Sequence, residues 1–224
     1  MIVMEMIKDR IDAAHQLFEE KNFEEALAEF NALSEEKRLG NSHKFQIALN
    51  KGIIKMNLNN YDEAQHDMEN ALLIGEKTED LYRQAQALHQ LGILAKLRGD
   101  FDNATELFRD ELRKCSSLMP SYYSDLSYNF YEQGDVKMLA GDFVDAKMYF
   151  EHALVFAETE ANYHGVGLAA RALGNLSITV NRHKEALGYL RKSYENFKLA
   201  EDREGIESTL QEITRLKESI QGTE

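Results

Sequence analysis

At 224 residues, with 43% hydrophobic and 29% charged, the chain has enough apolar material for a substantial core and too much for a disordered segment. Its formal charge of -13, from 26 Lys+Arg against 39 Asp+Glu, repels phosphate backbones and argues against nucleic-acid partners. One proline and no tryptophan suit long helices better than a turn-rich β chain, and the single cysteine, Cys115, excludes an internal disulfide or a cysteine zinc site.

The opening MIVMEMIKDR has no apolar run long enough for a signal peptide or a membrane span, and none follows. A soluble, cytoplasmic protein without membrane contact is expected. Apolar residues at helical spacing predict a helix from Met4 to Glu20, through Ile7, Ile11, Ala14, Leu17 and Phe18, broken at Lys21-Asn22. A second runs from Phe23 to Lys37, with Ala26, Phe30 and Leu33 on its apolar stripe. Gly40 reads as a helix stop, and Asn41 or Ser42 as the next N-cap. Further helices are predicted over 43–58, 61–75, 80–97, from 101 to Cys115 or Ser117, and over 122–139, 143–159, 161–179 and 183–200. Pro120 can open the helix that follows it. A last single helix covers 202–219, ahead of a frayed tail from Gln221 to Glu224.

These helices fall into a repeat. Gly52, Gly92, Gly134 and Gly174 are each followed, twelve residues later, by Ala64, Ala104, Ala146 and Ala186. Ala14 and Ala26 form a degenerate first copy. Between them stands a turn signal and then Phe23, Tyr61, Phe101, Phe143 or His183, spaced 38, 40, 42 and 40 residues apart. A mid-helix glycine costs about 0.5–1 kcal/mol relative to alanine, so a periodic one implies close helix packing. Phe30, Met68, Phe108, Phe150 and Leu190, four residues after each alanine, are expected to fill the space between hairpins.

Leu91-Gly92 with Gly99-Asp100-Phe101, Ala104 and Phe108 resembles the tetratricopeptide repeat (TPR). So do Leu173-Gly174 with Ala186, and Gly141-Asp142-Phe143 with Ala146, Phe150 and Ala153. The period of about 40 is longer than the family's 34, and the family's closing proline is absent. Longer helices, not inserted loops, are expected to absorb the difference. Repeats of this long type resemble those of kinesin-light-chain-like scaffolds and Gram-positive Rap-type regulators. The resemblance implies an all-α fold, a right-handed α-solenoid of about five helical hairpins and a C-terminal capping helix. It implies a single superhelical domain over 1–224, with repeats near 4–40, 42–77, 80–118, 121–160 and 162–200 and the cap at 202–220.

The resemblance further implies that first helices line a concave groove that takes a protein or peptide ligand. Carried over by register, the candidate binding residues are Gln46, Asn50, Gln86, His89, Lys96, Tyr128, Tyr131, Arg171 and Asn175. Amides among them suit a ligand backbone, while Leu49, Ile53, Met56, Ile93, Leu168 and Ile178 offer apolar pockets or simply pack the superhelix. Of the positions that clamp a C-terminal carboxylate in some family members, only Arg171 and Asn175 fit, and Asp135 would oppose one. No catalytic residue, metal site or cofactor is expected. None of the seven histidines has a partner at metal-ligand spacing, and no phosphate loop or nucleophile motif occurs.

The function expected is therefore a non-catalytic interaction scaffold or adaptor. The alternative is a peptide-sensing regulator of Rap type, expected to lack a DNA-binding domain because the repeats begin near Met4. A homodimer through an exposed end of the array is a further expectation.

Overall fold

The structure is a computed structural model that describes residues 2–36, 39–118 and 122–221. Among these residues the chain forms eleven α-helices and no strand. They are α1 (Ile2–Glu19), α2 (Phe23–Ser34), α3 (Asn41–Asn57), α4 (Tyr61–Lys77), α5 (Leu81–Leu97), α6 (Phe101–Ser116), α7 (Tyr123–Leu139), α8 (Phe143–Thr159), α9 (Tyr163–Thr179), α10 (His183–Leu199) and α11 (Arg203–Gln221). The expected helix start at Pro120, the end of the second helix at Lys37 and the tail beyond Gln221 lie outside the described residues. The chain divides into two compact units, Met1–Lys114 and Cys115–Glu224. The first holds α1 to α5 and nearly all of α6, and the second holds α7 to α11.

Gly40 departs from expectation. Its backbone is extended, with φ -69° and ψ 160°, and it forms the N-cap of α3. It opens that helix instead of stopping the previous one, because no left-handed residue is needed where α2 has already ended at Ser34.

Eight turns of one design join the other helices. Each contains a single residue in the left-handed region: Gly99 and Gly141, and the non-glycines Lys21, Asn59, Glu79, Ala161, Asn181 and Glu201. The amide of the following residue reaches back to a carbonyl five positions earlier, as in Asp100 N to Ala95 O at 3.0 Å and Asp202 N to Phe197 O at 3.0 Å. This is the Schellman closure of a helix end. In five of the eight turns the side chain of that same residue then caps the next helix; Asn22, Asn60 and Arg182 make no such bond. Asp80 accepts from Arg83 N, Asp100 from Asn103 N, Asp142 from Asp145 N, Asn162 from Gly165 N and Asp202 from Gly205 N. One helix of 17 residues plus a three-residue turn gives a 20-residue step, seen from Asn59 to Gly99 and again from Gly141 to Glu201. Turns within hairpins and between them are thus alike. The long period arises from long helices, as expected.

The periodic glycines lie where the hairpins close. A Cβ added at Gly92 would come within 2.6 Å of the Phe108 ring, and one at Gly134 within 2.6 Å of Phe150. Gly52 meets Met68 at 2.6 Å and Gly174 meets Leu190 at 2.8 Å. The same large side chains also reach the next hairpin. Met68 clusters with Leu91 and Leu94, Phe150 with Leu173 and Leu176, and Leu190 with Ile213 and Leu216. Phe30 is fully buried beside Ala14 and Ile54. Cys115 is buried and free of any disulfide.

Two predictions follow from this geometry. Gly99→Ala adds a Cβ that meets nothing within 4 Å, so any loss of stability comes from the left-handed backbone; the loss should be about 1 kcal/mol, and the mirror change Ala161→Gly should gain a similar amount, in chemical denaturation. Gly134→Ala should cost about 1–3 kcal/mol despite its better helix propensity, because the ring of Phe150 has to move. In a Phe150→Leu background the same Gly134→Ala change should cost less.

Candidate functional site

Within each unit consecutive first helices lie side by side, α3 beside α5 in the first, α7 beside α9 and α9 beside α11 in the second. The expected row runs across these helices. Gln46 is exposed, whereas Asn50, Gln86, His89, Lys96, Tyr128, Tyr131, Arg171 and Asn175 are all half-buried. The aliphatic neighbours double as packing: Leu49, Ile53 and Met56 sit against buried clusters of the first unit, and Met138 and Ile178 against those of the second.

Several of the polar residues bond sideways to the adjacent first helix. In the first unit Asn50 Nδ2 donates to Gln46 O at 2.8 Å and lies 2.8 Å from His15 Nε2 of α1. His89 Nδ1 is 2.9 Å from the Oε2 of Glu111, and its ring meets Phe108 edge-on at 5.8 Å. Glu111 is buried at a repeat position that holds Ala71, Ala153 and Ser193 elsewhere. A buried carboxylate is costly unless paired, so His89 serves the interior as well as the face. The side-chain amides of Gln46 and Gln86 make no hydrogen bond among the described residues. They remain available on the first unit's face.

Beside this row the hairpin of α3 and α4 holds an ion pair across its own interface. Lys55 Nζ lies 2.8 Å from the buried Asp67 and 2.9 Å from Glu63. Burial alone would lower the Lys55 ammonium, but the bonds to Asp67 and Glu63 outweigh it and hold its pKa above the ordinary value.

In the second unit the N-terminal ends of three first helices are linked. The hydroxyl of Tyr128 is 3.2 Å from His164 Nδ1 and accepts from Asn162 Nδ2 at 3.4 Å. His164 Nε2 is 3.4 Å from Asp202 Oδ2, and the other oxygen of Asp202 caps α11. Tyr131 packs its ring against Phe150 at 5.9 Å. Arg171 Nη1 donates to Ser208 Oγ at 2.8 Å, with its guanidinium 5.9 Å from the centre of Phe197. Asn175 Nδ2 donates to Glu212 Oε1 at 3.4 Å. The one pair that suited a carboxylate clamp already faces a carboxylate of the chain itself.

Ser208, Glu212, His164 and Asp202 were not among the expected site residues. α11 also continues the register of the first helices: Asp202 and Gly205 stand 40 residues after Asn162 and Gly165. Among the described residues no group of three or more His, Cys, Asp or Glu side chains is placed to hold a metal ion, and no helix is long and apolar enough to cross a membrane.

A face of aligned first helices, closed behind by second helices that press on their glycines, defines a class of helical-repeat protein. Residues 44–115 match the family model for the tetratricopeptide repeat. No curated protein matches the sequence. Among solved structures the chain is similar to a Rap protein complexed with competence and sporulation factor, with a TM-score of 0.81 and 16% identity over 95% of this chain and 63% of that one. It is similar to a signal transduction ATPase with numerous domains carrying a tetratricopeptide repeat sensor, from Pyrococcus horikoshii, with a TM-score of 0.77 and 16% identity over 98% of this chain and 36% of that one. It is also similar to Pseudomonas aeruginosa pilF, with a TM-score of 0.64 and 15% identity over 98% of both chains. This chain therefore spans under two thirds of the Rap protein and about a third of the ATPase. The fold is the tetratricopeptide-repeat solenoid, and residues 44–115 carry that family's sequence signature.

Glu212 gives this face a pH signature. Burial pushes its carboxyl above the ordinary 4.5, against the opposing pull of Arg171, the Asn175 bond and Arg215, and its Oε2 has no hydrogen-bond partner among the described residues. The folded chain therefore binds this proton more readily than the unfolded one. The group's contribution to stability is greatest below 4.5 and declines as pH rises through the raised folded value. Glu212→Gln should raise the thermal midpoint near neutral pH, with the gain shrinking as pH falls through the raised folded value and largely gone below 4.5. A gain that is the same at all pH values would show that the carboxyl is not held up.

Proposed function

We propose that the first-helix faces hold a peptide or a partner helix and that the protein is a non-catalytic interaction scaffold. The observation that carries this reading is the pair of unbonded amides, Gln46 and Gln86, beside the half-buried Leu49, Ile53 and Ile93. Amides that make no internal bond are free to bond a ligand backbone, while neighbouring aliphatic side chains receive its apolar residues. In the second unit Tyr128, Arg171 and Asn175 lie on that unit's own first-helix face, at positions stiffened by His164, Ser208 and Glu212.

A second reading, a peptide-sensing regulator that switches an output partner, is favoured by the likeness to the Rap protein, whose crystal holds a competence and sporulation factor. The two readings share a ligand site and differ in what binding does. A regulator requires peptide and output partner to change each other's affinity, whereas a scaffold does not.

Selection from a random peptide display library against the purified protein is expected to return binders. Their affinity should fall about thirtyfold in a Gln46→Ala, Gln86→Ala double variant, since two hydrogen bonds of about 1 kcal/mol each are removed. Both positions lie on the accessible face, so circular dichroism should be unchanged. Binders indifferent to both changes would remove the first unit's face as the site.

A further inference from the structure

The second helices repeat as regularly as the first, so their outward stripes can be compared position by position. On α4 the stripe is Asp62, His66, Glu69 and Leu73, with Leu73 44% exposed, and on α6 it is Asp102, Glu106, Arg109 and Arg113, all exposed. Only one of these eight outward side chains is apolar. The same positions on α8 hold Val144, Met148, Glu151 and Val155, with Val144 82%, Met148 45% and Val155 58% exposed. No packing within the second unit accounts for three large apolar side chains in water.

On α10 the equivalent stripe is Lys184, Gly188, Arg191 and Glu195. Two ion pairs, Lys147 with Glu185 at 3.3 Å and Lys192 with Glu158, join α8 to α10, so the two stripes lie on one surface. Lys184 and Arg191 make no ion pair among the described residues, in a chain of net charge -13. Gly188 differs from the glycines of the hairpin interfaces. An added Cβ there would meet nothing within 4 Å, so internal packing gives no reason for a residue that weakens the helix. It does leave a bare backbone at the surface.

We propose that this outer surface of α8 and α10 docks an amphipathic helix of a partner protein. The partner's apolar side seats on Val144, Met148 and Val155, its acidic flank faces Lys184 and Arg191, and its backbone approaches over Gly188. A helix fits because the apolar stripe spans eleven residues, about 16 Å or three turns, which matches side chains at i, i+4 and i+11 of a second helix. An acidic flank fits the two free cations, while Glu151 is already neutralised by Lys147 at 3.7 Å. A second copy of the chain suits the surface less, because a two-fold contact sets Lys184 and Arg191 against themselves. This site is separate from the first-helix face and does not depend on it.

The test uses a labelled synthetic helix of about 18 residues, about 27 Å long, with leucine at i, i+4, i+7 and i+11 and glutamate on both flanks. A second peptide carries lysine in place of glutamate. Overall charge favours the lysine peptide, so a preference for the acidic one reports the local surface. Wild type should bind the acidic peptide about tenfold more tightly, by fluorescence polarisation. Met148→Asp should lose about tenfold of that affinity, and Lys184→Glu with Arg191→Glu should invert the preference. Gly188→Ala should raise the thermal midpoint yet weaken the acidic peptide. All these positions are exposed, so the variants should keep the wild-type circular dichroism. Equal binding of the two peptides, or a Met148→Asp variant that binds as wild type does, overturns the proposal. So does self-association, or pelleting with phosphatidylserine vesicles, that Met148→Asp abolishes, since either assigns the surface to a different occupant.

Discussion

Each complete hairpin depends on one contact, the bare backbone of a first helix against the large side chain sixteen residues later. Gly52 with Met68, Gly92 with Phe108, Gly134 with Phe150 and Gly174 with Leu190 all leave no room for a Cβ. A glycine inside a helix costs about 0.5–1 kcal/mol, whereas burying the facing side chain contributes about 1.5–3 kcal/mol. The contact wins, and for Met68, Phe150 and Leu190 it does so twice, because the same side chain also packs on the next hairpin. The first hairpin has Ala14 where the others have glycine, and there Phe30 shares its surroundings with the His15 ring at 5.6 Å.

The turns keep that contact in register. One residue, usually Asp or Asn, closes the preceding helix with its amide and in five of the eight turns also caps the next with its side chain. That double role leaves little freedom in loop length. Where two such turns follow one another it places first helices at a constant step, so that side chains 36–37 residues apart meet across neighbouring hairpins, as Tyr128 meets His164 and Arg171 meets Ser208. The candidate binding face is a by-product of this spacing. In the first unit it combines His89, which the stack already uses, with amides the stack leaves open, Gln46 and Gln86, and in the second Asn175 is already bonded within the stack.

Within the second unit, two surfaces of different chemistry result. The first-helix face is polar and laterally bonded, and it fills its own carboxylate-binding position with Glu212. The second-helix face of α8 and α10 is apolar and cationic, whereas the stripes on α4 and α6 are charged or polar at every position but Leu73. A repeat protein can vary such outward positions freely, because they take no part in stacking. Departures there are the more telling for that reason.

The sequence by itself determined the number and type of the helices, their turns and their register. Those features rest on signals within about 20 residues: a glycine and an alanine twelve apart, a turn pair, an aromatic at the next helix start. Local chemistry decides them, which is why bounds such as Phe143–Thr159 were legible in advance. Gly40 misled because glycine serves both helix ends, and only its extended backbone distinguishes the two. The pairing of His89 with Glu111, the chain from Tyr128 through His164 to Asp202, and Glu212 lying against Asn175 were decided by the tertiary structure alone. They depend on how far one helix slides along its neighbour, within a hairpin for His89 and Glu111 and between hairpins for the others, a distance set by the summed packing of buried side chains and not by any short run of residues.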